Sequence, residues 1–513
     1  MQPQPQPASH PHRWRILGVL ILSLLVMIMD NTIMNVAVRT IADPVTGLGA
    51  TQSELEWIIN SYTLIFAGLL FTCGVLADRH GRKRLLIIGM TAFGVASLVA
   101  TFAATPLQLI LMRAAMGVGS AAVMPTTLAI IGTVFNAEDR PKAIGVWSGA
   151  VGMGLALGPV LGGFLLHNFH WSSIFFINVP VAVVAVIASA LIVPESRDPQ
   201  PGRHDPIGVG LSIVGLIGLC FGLIRGGDAG FADPLAVATI LGAFGVLALF
   251  IMHESRTANP ALDVRLFRDG RFSAAIVTVG LAFFTLMGVS FTSAFYVQSV
   301  LGLDPFAAGL TMVPLALSLM VSGPASGWLT RRFSSRAVMA TGLTVLTLSM
   351  LTVALYRVDS SLALPVVNGT LIGLAMGAIM PPATSSVMSS VPRQKMGAGA
   401  AISSTMRQVG AAMGVAIIGS ALAAAYRASI APALEGLPPG LRATAAGSVQ
   451  ASLSVAAETG NAALAMAAKA SYVHAMHVGA AIAAFAGVLG ILVVLRWMPV
   501  GARPAAAVAA TAE

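Results

Sequence analysis

The stretch Gly74-Val-Leu-Ala-Asp-Arg-His-Gly-Arg-Lys-Arg84 decides the fold of this chain. It separates two long apolar runs, and positions 78–84 hold one acid, four Lys/Arg residues and one histidine. So short and charged a loop cannot lie in lipid, because each charge inside a bilayer costs about 3 kcal/mol. Its positive excess predicts that it faces the cytoplasm, since cytoplasmic loops are rich in Lys and Arg.

The composition of the 513 residues supports a membrane protein. The chain is 56% hydrophobic and only 10% charged, with a mean hydropathy of +0.85, whereas soluble domains carry about 25% charged residues. The formal net charge of +9 is concentrated in short loops, so it indicates topology rather than nucleic-acid binding. Two cysteines, Cys73 and Cys220, exclude a disulfide framework, and the histidines lack ligand spacing, so we predict no metal site.

Fourteen apolar segments are long enough to cross a bilayer, which takes about 20 apolar residues. Numbered helices 1 to 14, they are 16–38, 54–77, 84–104, 107–134, 142–166, 173–193, 207–226, 234–252, 273–298, 307–329, 336–356, 362–390, 398–425 and 475–498. With fourteen spans, most Lys/Arg residues fall on the side of the opening loop, and only Arg113 and Arg407 fall well inside spans, away from their ends. We therefore place both termini in the cytoplasm, with residues 1–15 disordered and residues 499–513 as a tail.

The sequence contains an internal repeat. The pattern Gly117-x7-Pro125 recurs 256 residues later as Gly373-x7-Pro381, and the opening loop recurs in weaker form as Gly327-Trp-Leu-Thr-Arg-Arg332. Helices 1–6 and 9–14 are therefore predicted to be two parallel six-helix repeats, with helices 7 and 8 as an inserted pair. Two parallel repeats are typical of a transporter whose substrate site lies at the midplane between the halves. The predicted domains are a bundle at 16–200, the insert at 201–258, and a bundle at 259–498 with a long external loop at 427–474.

These motifs resemble a known family. The opening loop is similar, at nearly every position, to the signature loop of the major facilitator superfamily. Three further motifs resemble its fourteen-helix drug:proton antiporter branch, of the multidrug efflux type: Asp30-x-Thr32-x-x-Asn35-Val36-Ala37, Arg113-x-x-x-Gly117 and Gly154-x-x-x-Gly158-Pro159-x-x-Gly162-Gly163. The resemblance covers nearly all of residues 16–498 except the long loop. It implies proton-driven export by alternating access.

Asp30 is the only acidic residue predicted to lie well inside a span. A carboxyl group in apolar surroundings can take up and release a proton as those surroundings open and close, so we predict that Asp30 couples transport to protons. Arg113 is its expected partner, and neither residue has a counterpart 256 residues later, where Leu286 and Gly369 stand. The alternative is a structural Asp30 that pairs with Arg113 or caps a break in a helix.

Three other groups have expected roles. The resemblance makes the opening loop a gate, formed by Gly74, Asp78, Arg79, Gly81, Arg82 and Arg84, with Asp78 against the start of helix 13 near residues 397–403 and Arg407 in the same network. The alternative is a solvated loop that only sets topology.

In helix 5, Gly154, Gly158 and Gly162 share one face, which allows close approach of a neighbouring backbone. Pro159 favours a kink in the helix. The resemblance links this bend, with Gly163, to export.

Residues of the substrate site are less sharply indicated. The candidates are polar and aromatic residues in or near the spans, each of which could equally serve packing: Trp57, Asn60, Tyr62, Trp147, Asn178, Phe291, Phe295, Gln298 and Met380. The chain has no GxxxxGK[ST] loop for ATP and no pattern typical of an enzyme.

We predict a monomeric exporter of lipophilic or cationic drugs in the inner membrane. It contacts lipid, binds no nucleic acid, and uses the proton as coupling ion without another cofactor. A periplasmic adaptor partner is left open. Two alternative functions also remain: a dedicated exporter of one endogenous metabolite or antibiotic, and a non-transporting membrane sensor with the same fold.

Overall fold

A computed structural model describes residues 10–499 apart from 44–46, 51, 137, 198–204, 258–263, 304 and 393–394. Residues 1–9 of the predicted disordered terminus and 500–513 of the predicted tail lie outside this part, as do the predicted insert boundaries at 201 and 258. Helix 1 begins at Arg13, so residues 13–15 are helical rather than disordered. The described residues contain no β-strand.

Within the described residues, fourteen helices are long and apolar enough to cross a membrane, as the sequence predicts. Helices 1 to 7 are Arg13–Ala42, Gln52–His80, Arg82–Ala100, Pro106–Val134, Arg140–Asn168, Asn178–Ile192 and Pro206–Ala229. The short helix Ser173–Phe176 precedes helix 6, and the two together form the sixth span, Ser173–Ile192. Helices 8 to 14 are Pro234–Arg256, Gly270–Phe295, Val313–Arg332, Ser335–Thr352, Ala363–Ser390, Met396–Ile430 and Ala462–Trp497. Helix 9 continues as a π-helical turn, Tyr296–Val300, and the short helix Pro305–Leu310 precedes helix 10.

Helix starts follow local chemistry. Thr105 precedes helix 4 and accepts a hydrogen bond from the Gln108 amide, while Asp205 and Asp233 accept from the first turns of helices 7 and 8. Each of these three helices has proline in its first turn, where the missing N–H would have no partner within the helix. The long apolar runs then continue the helices.

The backbone shows the internal repeat. Helix 5 begins at Arg140 and helix 13 begins 256 residues later, at Met396. Between helices 2 and 3 the single residue Gly81 has a φ of 113°, and 253 residues later Ser334, between helices 10 and 11, has a φ of 131°. Ser334 is the only non-glycine residue with positive φ in the described chain. The second copy therefore keeps the turn although it has lost the glycine.

The predicted external loop 427–474 is largely helical, and helix 14 begins at Ala462 instead of near 475. Helix 13 extends to Ile430, and two short helices, Pro439–Gly447 and Val449–Glu458, lie between helices 13 and 14. Their apolar side chains pack with both long helices in a separate core cluster. The Ala-rich composition of this segment predicts that it is partly helical, and its low charge allows such packing.

The two bundles meet along a shared interface. Helix 2 packs against helix 13, and helix 5 packs against helix 10, so each contact joins one half to the other. Of the inserted pair, helix 7 packs on helices 2 and 13, and helix 8 packs on helix 7. We call the end of the bundle that holds Asp78 the basic face, and the other end the opposite face.

Candidate functional site

A central cavity of about 280 Å³ lies between the two halves. Its wall is mainly apolar and includes five methionines: Met27, Met124, Met287, Met376 and Met380. Its polar residues include Asn31, Thr32, Tyr62, Ser148, Arg407 and Gln408. Methionine side chains are flexible and polarisable, so this wall can adapt to ligands of different shape.

A second cavity, of about 470 Å³, adjoins the first and extends toward the opposite face. Both cavities are lined by Thr63, Met287, Gln408 and Ala411. The outer cavity also reaches helix 7 at Cys220 and the short outer helices at residues 447–450. The two cavities therefore connect the midplane with the opposite face, and each is of a size that suits a small-molecule site.

Asp30 and Arg113 form a buried ion pair beside the central cavity. The Arg113 guanidinium lies 2.5 Å from Asp30 Oδ2, and the two side chains are 1% and 2% exposed. The Asn178 amide, at the first turn of helix 6, donates to Asp30 Oδ1 at 2.8 Å and to Ser97 Oγ at 3.1 Å. Helices 1, 4 and 6 thus meet at one carboxylate, and helix 3 holds Asn178 in place through Ser97.

Tyr62 joins this pair to the cavity. Its ring lines the central cavity and lies 4.4 Å from the Arg113 guanidinium carbon. Its hydroxyl donates to Ser120 Oγ at 2.8 Å, which fixes the ring on helix 4. On helix 1, Asn31 and Thr32 follow Asp30 and line the same cavity. A movement of Asp30 relative to Arg113 would therefore change the cavity wall.

The glycines of helix 5 pack on helix 1, next to Asp30. A Cβ at Gly154 would meet Ile28, one at Gly158 would overlap the Thr32 side chain, and one at Gly162 would press on Ile33. The second half repeats this contact, since Gly410 and Gly414 of helix 13 pack on helix 9. Helix 5 continues through Pro159, and Gly163 is partly buried within it.

Asp78 bonds the basic end of helix 2 to the start of helix 13. Its two carboxylate oxygens accept hydrogen bonds from the amides of Gly397 at 2.7 Å and Ala398 at 2.9 Å. Arg82 donates to Asp78 through Nε at 2.9 Å. We call this arrangement the Asp78 latch. It holds the two halves together at the basic face, where a helix N-terminus favours negative charge.

The rest of the loop lies around the latch. Gly74 faces helix 13 so closely that a Cβ there would meet Gly397 and Ala401. Gly81 supplies the left-handed turn into helix 3. Arg79 is partly buried, and the exposed Arg84 lies 3.9 Å from Glu195.

The sequence led us to expect Arg407 in the same network as the gate. In the structure Arg407 does not join the latch. It lies ten residues beyond Gly397, which corresponds to about 15 Å along a helix. Its guanidinium lines the central cavity, donates to Ser404 Oγ at 2.7 Å, and lies 5.2 Å from the Trp147 ring and 5.9 Å from the Phe283 ring.

The candidate lining residues are distributed among several places. Tyr62, Trp147 and Met380 line the central cavity, whereas Asn60, Phe291 and Phe295 line the outer one. Three candidates line neither cavity: Trp57, Asn178 and Gln298. Trp57 is 43% exposed and stacks on Phe221, Asn178 is bound to Asp30, and Gln298 lies in the π-helical turn after helix 9.

The sequence reasoning overlooked Asn178 as a partner of Asp30 and Gln408 as a residue of both cavities. The position of Gln408 directly after Arg407, an arginine predicted to lie inside a span, was the available signal. For a metal site, the described residues offer no group of three or more His, Cys, Asp or Glu side chains.

Comparisons with known proteins agree with this architecture. A family model described as Major Facilitator Superfamily matches residues 20–415. The chain is 35% identical over 447 residues to the multidrug efflux pump LfrA of Mycolicibacterium smegmatis, covering 87% of this chain and 88% of that protein. It is 33% identical over 455 residues to the methyl viologen resistance protein SmvA of Salmonella typhimurium, with 88% and 89% covered. The crystal structure of the human organic anion transporter MFSD10 has a similar fold, with a TM-score of 0.65 at 14% identity, covering 94% of this chain and all of that one.

Proposed function

Because the chain belongs to the major facilitator superfamily, we propose that it is a secondary active transporter that exports lipophilic or cationic drugs in exchange for protons. The observation that carries this proposal is the buried Asp30–Arg113 pair, which adjoins a cavity shared by both halves. The similarity of the chain to multidrug efflux and drug resistance proteins supports the export of drugs in particular.

The described conformation corresponds to one state of an alternating-access cycle. The Asp78 latch closes the basic face, and the outer cavity extends from the midplane toward the opposite face. We assign the basic face to the cytoplasm because basic loops stay there. Drug release to the outside would then occur from this state, and drug entry would require the latch to open.

Protonation of Asp30 is the proposed coupling step. Removing one partner from a buried ion pair costs about 3–5 kcal/mol, so an ionised Asp30 holds helix 1 against Arg113. A proton on the carboxylate cancels most of that attraction. Its inward transfer supplies about 2.3 kcal/mol per 100 mV and about 1.4 kcal/mol per pH unit. These amounts are of the same order as the cost of separating the pair.

The glycine contacts carry that change to the cavity. Helix 5 touches helix 1 on both sides of Asp30, where Gly154 lies against Ile28 and Gly158 lies against Thr32. A shift of helix 1 therefore moves helix 5, which in turn packs on helix 10 of the other half. In this scheme Arg113 donates to the Asp30 carboxylate again only when the proton has left toward the cytoplasm.

We further propose a multi-pass protein of the inner membrane with both termini in the cytoplasm, active as a monomer. The proton is the only cofactor in this scheme, and the cargo enters from the lipid or from the cytoplasm. An adaptor in the periplasm would contact the outer helices at residues 439–458. Affinity purification with these helices intact and deleted would test that partner, and reporter fusions at both termini would test the topology.

The test is a resistance and accumulation screen in a pump-deficient bacterial strain, with and without an uncoupler. The expected result is lower accumulation of several drugs, restored by the uncoupler. Asp30→Asn should abolish this export while the protein still reaches the membrane. The matched control is Asp233→Asn, because Asp233 also pairs with an arginine, Arg225, at 2.9 Å but lies at the start of helix 8, outside both cavities.

The outcomes separate the remaining alternatives. Retained transport by Asp30→Asn in proteoliposomes with an imposed pH gradient would contradict the coupling role. A resistance profile confined to one compound would indicate a dedicated exporter. If no compound of a broad panel moves in proteoliposomes, the chain is better described as a membrane sensor.

A further inference from the structure

The guanidinium of Arg407 is the one charged group among the residues that line the central cavity, and the mechanism above does not use it. The side chain belongs to helix 13 and is 5% exposed. Among the described residues, its only hydrogen bond is the one that it donates to Ser404 Oγ, at 2.7 Å. A guanidinium has five N–H donors, so most of the hydrogen-bonding capacity of this cavity-lining side chain is not used by the described residues.

The surroundings of Arg407 do not balance its charge. No Asp or Glu lines either cavity in the described chain. Asp30 directly precedes the lining residues Asn31 and Thr32, but it is already bound by Arg113 and Asn178. The rings of Trp147 and Phe283 lie beside the guanidinium and stabilise it through their π faces. This attraction is weaker than a charge-assisted hydrogen bond, so an acceptor in the cavity would be bound favourably.

We propose that Arg407 is a substrate-binding residue that pairs with a carboxylate, or a comparable anionic group, of an aromatic compound. The planar fork of the guanidinium matches the two oxygens of a carboxylate. The apolar wall, which includes Phe66 and Met376, offers contact area for the aromatic body. The cargo of the proposed exporter, on which this inference rests, therefore extends to organic anions and zwitterions.

Charge also argues for this cargo. A cationic group placed next to Arg407 would meet a like charge without a neighbouring carboxylate to offset it, so the cation of a drug would lie elsewhere in the two cavities, whereas an anionic group beside Arg407 removes the imbalance. The outer cavity has no charged lining residue. Arg407 is thus the residue that would discriminate between anionic and cationic compounds.

The test uses the full-length protein in nanodiscs of phosphatidylcholine, so that no anionic lipid headgroup competes for Arg407. The probes are 9-anthracenecarboxylate and the neutral 9-anthracenecarboxamide, which share one ring system. Binding is measured by fluorescence titration for the wild type, Arg407→Gln, Arg407→Lys and the control Arg427→Gln. Arg427 lies on the same helix but is exposed near its outer end, so its loss changes the net charge equally.

The wild type and Arg427→Gln should bind the carboxylate about 10-fold or more tightly than the amide, as a charge-assisted hydrogen bond implies. Arg407→Gln should lose this preference while it still binds the amide, which shows that the cavity is intact. Arg407→Lys should keep part of the preference, because it retains the charge without the fork. A preference unchanged in Arg407→Gln, or absent from the wild type, would overturn the proposal.

Transport assays with the same probes separate this inference from the proposed function. Uncoupler-sensitive export of neutral compounds without any carboxylate preference would leave the export function standing and refute the role of Arg407. A carboxylate preference that depends on Arg407, in a protein that transports nothing, would refute export and support the binding site.

Discussion

Two contacts join the halves of the molecule at the basic face, and they differ in chemistry. Helix 2 meets helix 13, where Gly74 approaches Gly397, and helix 10 meets helix 5, where Gly323 approaches Gly145. The internal repeat relates the two contacts. In both contacts glycine allows the two helix backbones to approach closely, and this close approach is the feature that the two contacts share.

Only the contact of helices 2 and 13 contains an acid. Asp78 accepts two backbone hydrogen bonds from helix 13, whereas the residue 253 positions later is Arg331, which is exposed. A hydrogen bond to a charged group contributes about 1.5–3 kcal/mol. The comparison therefore suggests that the Asp78 latch sets the balance between open and closed states, while the contact of helices 5 and 10 acts as packing.

Removal of the charge at Asp78 should have the largest effect. Asp78→Asn leaves one acceptor oxygen instead of two and leaves Arg82 buried beside a neutral side chain, a change that costs several kcal/mol (about 3–5). We expect export to fall by more than about 10-fold, measured as dye transport in proteoliposomes at equal protein content. The matched variant Arg331→Gln should stay within about two-fold of the wild type, because an exposed charge contributes little. Equal losses in the two variants would remove the distinction between the contacts.

Added side chains at the two glycine positions should have an intermediate effect. A Cβ at Gly74 would lie 2.5 Å from the Gly397 carbonyl oxygen, whereas a Cβ at Gly327 would lie 3.3 Å from the Lys142 amide. Gly74→Ala should therefore favour the state open at the basic face, and Gly327→Ala should hardly change the balance.

The readout for these glycine variants is the reactivity of Ala411→Cys in the cavity wall toward an impermeant maleimide, applied from each side. The background carries Cys73→Ala and Cys220→Ala. We expect Gly74→Ala to raise labelling from the basic side several-fold. Labelling that rises equally in Gly327→Ala would contradict the assignment of the latch to helices 2 and 13.

The two turns that follow these contacts should give the smallest effect. Gly81→Ser places a side chain at a φ of 113° and against the Glu195 carboxylate, so we expect a loss of about 1–3 kcal/mol in stability. Ser334→Gly relieves the same backbone strain at a φ of 131° but removes the cap on Ala337, and a net gain of about 1 kcal/mol or less should result. Thermal unfolding in detergent measures both, and shifts of the same sign in the two variants would refute the argument.

Much of the fold could be predicted from the sequence because bilayer thickness and loop charge constrain it strongly. The fourteen spans and the repeat follow from segment lengths and sequence offsets. The contact of Asp78 with the start of helix 13 was expected from the resemblance of the opening loop to the family's gate, and the preference of a helix N-terminus for an acid accounts for it. The start of helix 14 at Ala462 did not follow. Lys469 interrupts the apolar run there, and the packing of the outer helices becomes visible only in three dimensions.

The details of the site were less predictable for a related reason. Hydrophobicity marks which residues lie inside the membrane, but not which neighbour each one meets. Asn178 looked like a lining residue and instead completes the surroundings of Asp30. Arg407 looked like part of the gate, yet its depth along helix 13 places it in the central cavity.

The central claim is that drug binding is coupled to the protonation of one carboxylate, Asp30, which releases its proton when the drug binds. Its most direct test is the pH change of a weakly buffered detergent solution of the purified protein when a transported drug is added. The account predicts proton release by the wild type and by the control Asp233→Asn, and none by Asp30→Asn, although that variant still binds the drug. Proton release of the same size from Asp30→Asn would contradict it.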